Sequence, residues 1–214
     1  MSQTDRTQLF DDWAKTYDAI VLSSGGGFPF DGYEQILDEV VRLADVKPDM
    51  RILDLGIGTG NLAARFVHEG CIVWGVDFSA EMLAKARMKL PQVNLVQANL
   101  LDDWPTELQQ RFDRVASAYV LHEFDLETKV DLLKRVALHH LEDGGCILVA
   151  DVTFPTTMAR TEASRRWAAE WDEDEYYWVA DETIAACEKV GLQATYKQVS
   201  SCGGVFTFAI RGAG

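Results

Sequence analysis

Three glycines at alternate positions close an apolar run in Arg51-Ile-Leu-Asp-Leu-Gly-Ile-Gly-Thr-Gly60, and a helical pattern starts directly after them. Gly56, Gly58 and Gly60 permit a tight turn and a close ligand approach, while the helix start offers N–H groups not used within the helix. Such a turn serves several classes of nucleotide-like cofactor. Here the spacing is GxGxG and not GxGxxG, and Asp54 stands two residues before the first glycine. A carboxylate at that place repels a pyrophosphate and suits a cationic amine. Asp77 ends the next apolar run, 21 residues after Gly56, where an acid can hold both ribose hydroxyls of an adenosine. Phe78 follows and can lie against an adenine face. Ser79 can cap the next helix, which leaves Asp77 for a ligand.

A second group of residues could act on a substrate. Ser117, Tyr119, His122 and Glu123 lie at the carboxyl end of one predicted strand, and Asp151 and Thr153 at that of another. In a parallel sheet, ligands bind outside such carboxyl ends. His122 can take a proton near neutral pH; the alternative is that Leu121–Phe124 only shapes the loop. His122 and Tyr119 are the catalytic candidates. His68, His139 and His140 receive no role. Cys71, Cys146, Cys187 and Cys202 are scattered, without a CxxC or a Cys/His cluster, so no metal site and no disulfide framework are expected.

These residues need a frame. From residue 51 strands alternate with helices: strands at Arg51–Leu55, Ile72–Val76, Val93–Gln97, Phe112–Ala118 and Cys146–Asp151, and helices at 60–69, from Ser79, and at 126–141. That rhythm predicts a parallel sheet covered by helices on both faces. Before it come a helix over 6–22, a break at Ser23–Gly27 and an amphipathic helix over 31–45 that Lys47-Pro48 ends. After it, 155–180 is rich in acids and aromatics, with Trp167 and Trp171 on one helical face and Asp172–Glu175 read as a solvated face. A helix at 181–191 precedes strands at 193–200 and 205–211, joined by a turn at Cys202-Gly203-Gly204.

Composition excludes several classes. The 214 residues suit one domain with an ample core. The net charge of −14 argues against a nucleic-acid partner. Residues 1–50 carry 10 acids and 4 bases, 51–150 carry 14 and 10, and 151–214 carry 10 and 6. The excess therefore sits at the ends that flank the glycine unit, which favours a neutral or cationic substrate over an anionic one. Neither a targeting signal nor a membrane span is visible, and a cytoplasmic, reduced protein is expected. Oligomeric state cannot be read.

Ile52-Leu-Asp-Leu-Gly-Ile-Gly-Thr-Gly60, Gly75-Val-Asp77 and Phe112-Asp-Arg-Val-Ala-Ser117 resemble the successive motifs of class I S-adenosylmethionine-dependent methyltransferases. Phe10-Asp-Asp-Trp-Ala-Lys-Thr-Tyr-Asp18 and Phe30-Asp-Gly-Tyr-Glu-Gln-Ile-Leu37 further resemble the small bacterial YrrT-type methyltransferases. The resemblance implies an α/β, Rossmann-like sandwich: a seven-stranded, mostly parallel sheet with a C-terminal antiparallel hairpin and an N-terminal helical cap. One domain is implied over 1–214, with a cap at 1–48, a cofactor core at 49–214 and a possible substrate-cap insertion at 155–180. The implied cofactor is S-adenosyl-L-methionine, and the partner is a small-molecule methyl acceptor attacked in line. Asp54, Gly56, Gly58 and Gly60 are implied around the methionine moiety, with Asp77 on the ribose and Phe78, Asn99, Leu100 and Ala118 nearby. Trp13 and Tyr17 share a helical face that the resemblance places over the cofactor. The family usually has an acid where Asn99 stands; its amide oxygen can still accept a hydrogen bond, and Asp102 or Asp103 is an alternative. The rival activities are a nicotinamide-dependent oxidoreductase and a cofactor-binding protein without catalysis.

Overall fold

The computed structural model describes residues 16–23 and 27–210. Its centre is a sheet in the order β3-β2-β1-β4-β5-β8-β7. The strands are β1 (Arg51–Leu55), β2 (Ile72–Asp77), β3 (Asn94–Gln97), β4 (Phe112–Ala118), β5 (Leu141–Phe154), β7 (Leu192–Gln198) and β8 (Gly203–Ile210). The two-residue β6 (Trp178–Val179) pairs with the end of β5. β1 to β5 run parallel, and β8 is antiparallel to both β5 and β7. The hairpin expected at the C-terminus is thus present, with its second strand against the parallel sheet.

Along each central strand, side chains alternate between two apolar layers. Ile52, Leu148, Ala150 and Val152 enter one layer with α2 (Tyr33–Ala44) and α3 (Asn61–His68). Leu53, Leu55, Ile147 and Val149 enter the other with α5 (Leu126–His139) and α7 (Ala180–Lys189). A parallel sheet needs this cover on both faces, because its connections cross over it. α4 (Ala80–Lys89) opens at Ser79, whose hydroxyl accepts the Met82 N–H at 3.1 Å, the cap that sequence assigned to it. Within the described residues, α1 covers Tyr17–Ser23; the rest of the expected N-terminal helix, with Trp13, lies outside them. None of the described helices is long and apolar enough to cross a membrane.

Several boundaries differ for local reasons. α2 stops at Ala44, before Lys47-Pro48, because Asp45 turns left-handed at φ 45°. β5 starts at Leu141 and not at Cys146: Gly144, at φ 78°, is absorbed as an irregularity in the β4–β5 register instead of ending the strand. Gly203 and Gly204 already belong to β8, so the turn falls before them. In the acidic tail, α6 (Thr157–Arg166) ends before Trp167, so Trp167 and Trp171 share no helix. They meet instead on Phe28, stacked at centroid distances of 5.1 and 5.5 Å. His140, at the end of α5, is buried against Trp104 with centroids 4.5 Å apart.

Candidate functional site

At the carboxyl ends of β1, β2 and β4 lies a cleft of about 520 Å³. The glycine loop forms its floor. Gly56, Gly58 and Gly60 have φ of 68°, 54° and 87°, a region that side chains with a Cβ rarely enter. A Cβ on Gly56 would lie 2.5 Å from Val120, whereas one on Gly58 would project into open space. Gly56 is therefore fixed by packing, and Gly58 by the space it leaves in the cleft. Gly60 does not line the cleft; it caps α3.

Asp54 and Asp77 face this floor. Asp77 accepts the Gly58 N–H through Oδ2 and the Ser79 N–H through Oδ1, both at 2.9 Å. Asp54 is 1% exposed, lines the cleft, and its Oδ2 has no hydrogen-bond partner. Burial, with the nearby Asp77 charge, pushes its carboxyl up to about 8. A buried carboxylate with one oxygen left unpartnered beside a backbone cradle is costly unless a cationic ligand completes it.

Phe78, Asn99, Leu100, Asp102 and Ala118 also line the cleft; Asp103 does not. Asn99 Oδ1 accepts the Leu101 N–H at 2.9 Å, so the amide that replaces the usual acid is oriented by its own loop. Above lie Tyr17 from α1, Phe30, Tyr33 and Tyr119. Phe30 contacts each of the three tyrosines at centroid distances of 6.4, 6.0 and 5.4 Å. Tyr119 sits at φ 56° with a buried hydroxyl that has no partner. Backbone strain of that kind persists where surrounding packing enforces it.

A polar latch that the sequence reading missed ties α1 to the glycine loop. Asp18 Oδ1 accepts Thr59 Oγ1–H at 2.5 Å and Asn61 Nδ2–H at 3.1 Å, while Lys89 Nζ reaches Asp18 Oδ2 at 3.2 Å. Asn61 also donates to the Tyr33 hydroxyl at 3.2 Å. Asp18 and Thr59 each belong to a sequence motif, but nothing in the spacing connects Asp18 to residues 59, 61 and 89.

The far end of the cleft is built around His122. Its Nδ1 lies 2.6 Å from Asp151 Oδ1, and its backbone N–H donates to Asp151 Oδ2 at 3.0 Å. Asp151 is fully buried and also accepts Val152 N–H at 2.8 Å and Trp178 Nε1–H at 3.0 Å. Burial works against a charged imidazole, but Asp151, Glu175 and Glu123 outweigh it and push His122 up to about 9. Glu175 lines the cleft, with Oε1 3.8 Å from His122 Nε2. The acidic run Asp172–Glu175 is therefore not a purely solvated face: the Tyr176 N–H, bonded to the His122 carbonyl at 2.7 Å, draws its last member inward. Ser117 and Thr153 turn elsewhere. Ser117 donates to the Leu55 carbonyl at 2.9 Å, and Thr153 Oγ1 pairs with Tyr196 at 2.9 Å. Among the described residues, the cleft lining holds Asp54, Asp77, Asp102, Glu123 and Glu175 but no Lys or Arg.

The model of a family described as "Methyltransferase domain" matches residues 52–145, the span from β1 into β5. The uncharacterized methyltransferase OB1106 of Oceanobacillus iheyensis is 30% identical over 202 residues, covering 90% of this chain and 91% of that protein. An uncharacterized methyltransferase of Alkaliphilus oremlandii is 31% identical over 160 residues, 74% and 72% of the two chains. Among solved structures, the DhpI-SAM-HEP complex superposes with a TM-score of 0.73 at 21% identity, covering 97% of this chain and 99% of that one.

Proposed function

Because this chain belongs to the class I S-adenosylmethionine-dependent methyltransferases, we propose that it carries the cofactor's methyl group to a small-molecule acceptor by in-line displacement. The buried Asp54 carboxyl, whose Oδ2 has no partner, beside the Gly58 cradle carries this reading. Bound there, S-adenosylmethionine supplies an electrophilic methyl on a sulfonium.

In this reading Asp54 faces the cationic methionine end and the Gly56–Gly60 loop lies under it. Asp77 takes the ribose hydroxyls, and Phe78, Asn99 and Leu100 surround the adenine. Tyr17, Phe30, Tyr33 and Tyr119 exclude water and present ring faces to the cationic centre, attracting it without a hydrated counter-charge. Ala118 leaves room beside them. Alignment supplies most of the rate, since displacement at a methyl group needs no strong acid. The acidic lining favours a neutral or cationic acceptor. α1 and α2 form the cover of a single unit, and 155–180 forms its far rim.

Calorimetric titration tests the reading directly. S-adenosylhomocysteine should bind and NADH should not; binding of NADH alone overturns it. Incubation with methyl-labelled cofactor and fractionated cell metabolites should then yield a labelled small molecule.

A further inference from the structure

His122, Glu123 and Glu175 bring one imidazole nitrogen and two carboxylate oxygens within 4.8 Å of one another, all on the cleft wall. No spacing motif announces this group, since its members come from the loop after β4 and from the acidic tail. Its orientation is fixed from behind. Asp151 holds His122 Nδ1, so Nε2 is the ring nitrogen that faces Glu175. Asp151 is held in turn by three N–H groups, from His122, Val152 and Trp178. A carboxylate behind one ring nitrogen, fixing the other toward an open position, is the usual outer support of a metal-ligating histidine.

The 3.8 Å between Nε2 and Glu175 Oε1 is too long for a hydrogen bond. It does suit two ligands of one ion, because bonds of about 2.0–2.2 Å place neighbouring donors roughly 3–4 Å apart. Glu175 is held at that separation by the Tyr177 hydroxyl and by the Tyr176 N–H on the His122 carbonyl. We propose that His122, Glu123 and Glu175 form a binding site for a divalent first-row cation at the acceptor end of the cleft. One nitrogen and two carboxylate oxygens suit Mn²⁺, Fe²⁺ or Zn²⁺ better than a thiophilic ion. Binding displaces the proton from Nε2 and sets two positive charges against the carboxylates. The remaining coordination positions face the cleft, where they can take an oxygen or nitrogen of a neutral acceptor.

Chelator-treated, full-length protein titrated with MnCl₂ and followed by electron paramagnetic resonance tests this. Saturable binding is expected, with nitrogen modulation from a directly bound imidazole. Glu175→Gln and Glu123→Gln should each weaken it about tenfold or more, while Glu173→Gln, in the same acidic run, should leave it unchanged. Thermal melts of each variant separate lost ligation from lost folding. No saturable binding below about 1 mM, binding without nitrogen modulation, or binding indifferent to Glu175→Gln in a folded protein each overturns the proposal.

Discussion

Asp77 Oδ2 accepts the backbone N–H of Gly58 at 2.9 Å, so the acid that ends β2 and the loop that follows β1 form one unit. Its other oxygen accepts the Ser79 N–H, which points the carboxylate into the cleft without help from a ligand. Preorganisation of this kind lowers the ordering cost of binding.

Asp77→Ala should therefore weaken S-adenosylhomocysteine binding about 100-fold or more, the loss of two hydrogen bonds to a charged acceptor at roughly 1.5–3 kcal/mol each. Calorimetric titration measures this. Affinity within a few-fold of the parent would remove the ribose role.

Gly56→Ala and Gly58→Ala separate packing from cradle. At Gly56 the new Cβ meets Val120 at 2.5 Å, so the melting temperature should fall clearly. At Gly58 it meets nothing, and only the left-handed backbone costs about 1–2 kcal/mol. The Gly58 variant should stay folded yet bind S-adenosylhomocysteine about 5- to 150-fold more weakly, the price of overfilling a fitted site by about 1–3 kcal/mol. Equal affinities in parent and variant would place the ligand elsewhere.

Asp54 links pH to both stability and binding. Its folded pKa of about 8 lies above the unfolded carboxylate value near 3.8, so the folded state binds the extra proton between them. Its contribution to stability is accordingly lost as pH rises from about 4 to about 8. Asp54→Asn should flatten that part of the stability profile. A cationic ligand favours the carboxylate, so binding of S-adenosylhomocysteine at pH 7 should release a proton. Calorimetry in two buffers of different ionisation enthalpy detects it, and the release should vanish in Asp54→Asn.

Asp18→Ala removes the centre of the latch between α1, Thr59, Asn61 and Lys89. A loss of about 1–3 kcal/mol is expected from hydrogen bonds to a charged group, read as a lower melting temperature. Binding of S-adenosylhomocysteine should weaken in parallel, because Tyr17 leaves the cleft wall with α1.

What could be read from sequence was whatever is decided locally. The glycine loop, Asp77 and the Ser79 cap are set within a few residues of chain, and their pattern carried both the sheet and one end of the cleft. Asp18 and Glu175 were not legible. Asp18 meets partners 41, 43 and 71 residues away, and Glu175 sits in a run of four acids that looks solvated until the Tyr176 N–H finds the His122 carbonyl. The same holds for Trp167 and Trp171: their spacing suggested a helix, but their common partner, Phe28, comes from the other end of the chain.

The latch has a kinetic consequence. Each of its hydrogen bonds re-forms with water when broken, so the polar part of the hold on α1 costs little to release, while Val21 and the Tyr17–Phe30 contact supply the apolar part. In the proposed function the grip on the cofactor resides in Asp54, Asp77 and the glycine loop, none of which belongs to α1. Recognition and release are thereby assigned to different residues, and the affinity lost with the latch is lost through faster release. Changes at Asp18, Asn61 or Lys89 can speed the exit of spent cofactor, and with it a turnover limited by product release, while the recognition contacts remain as they are.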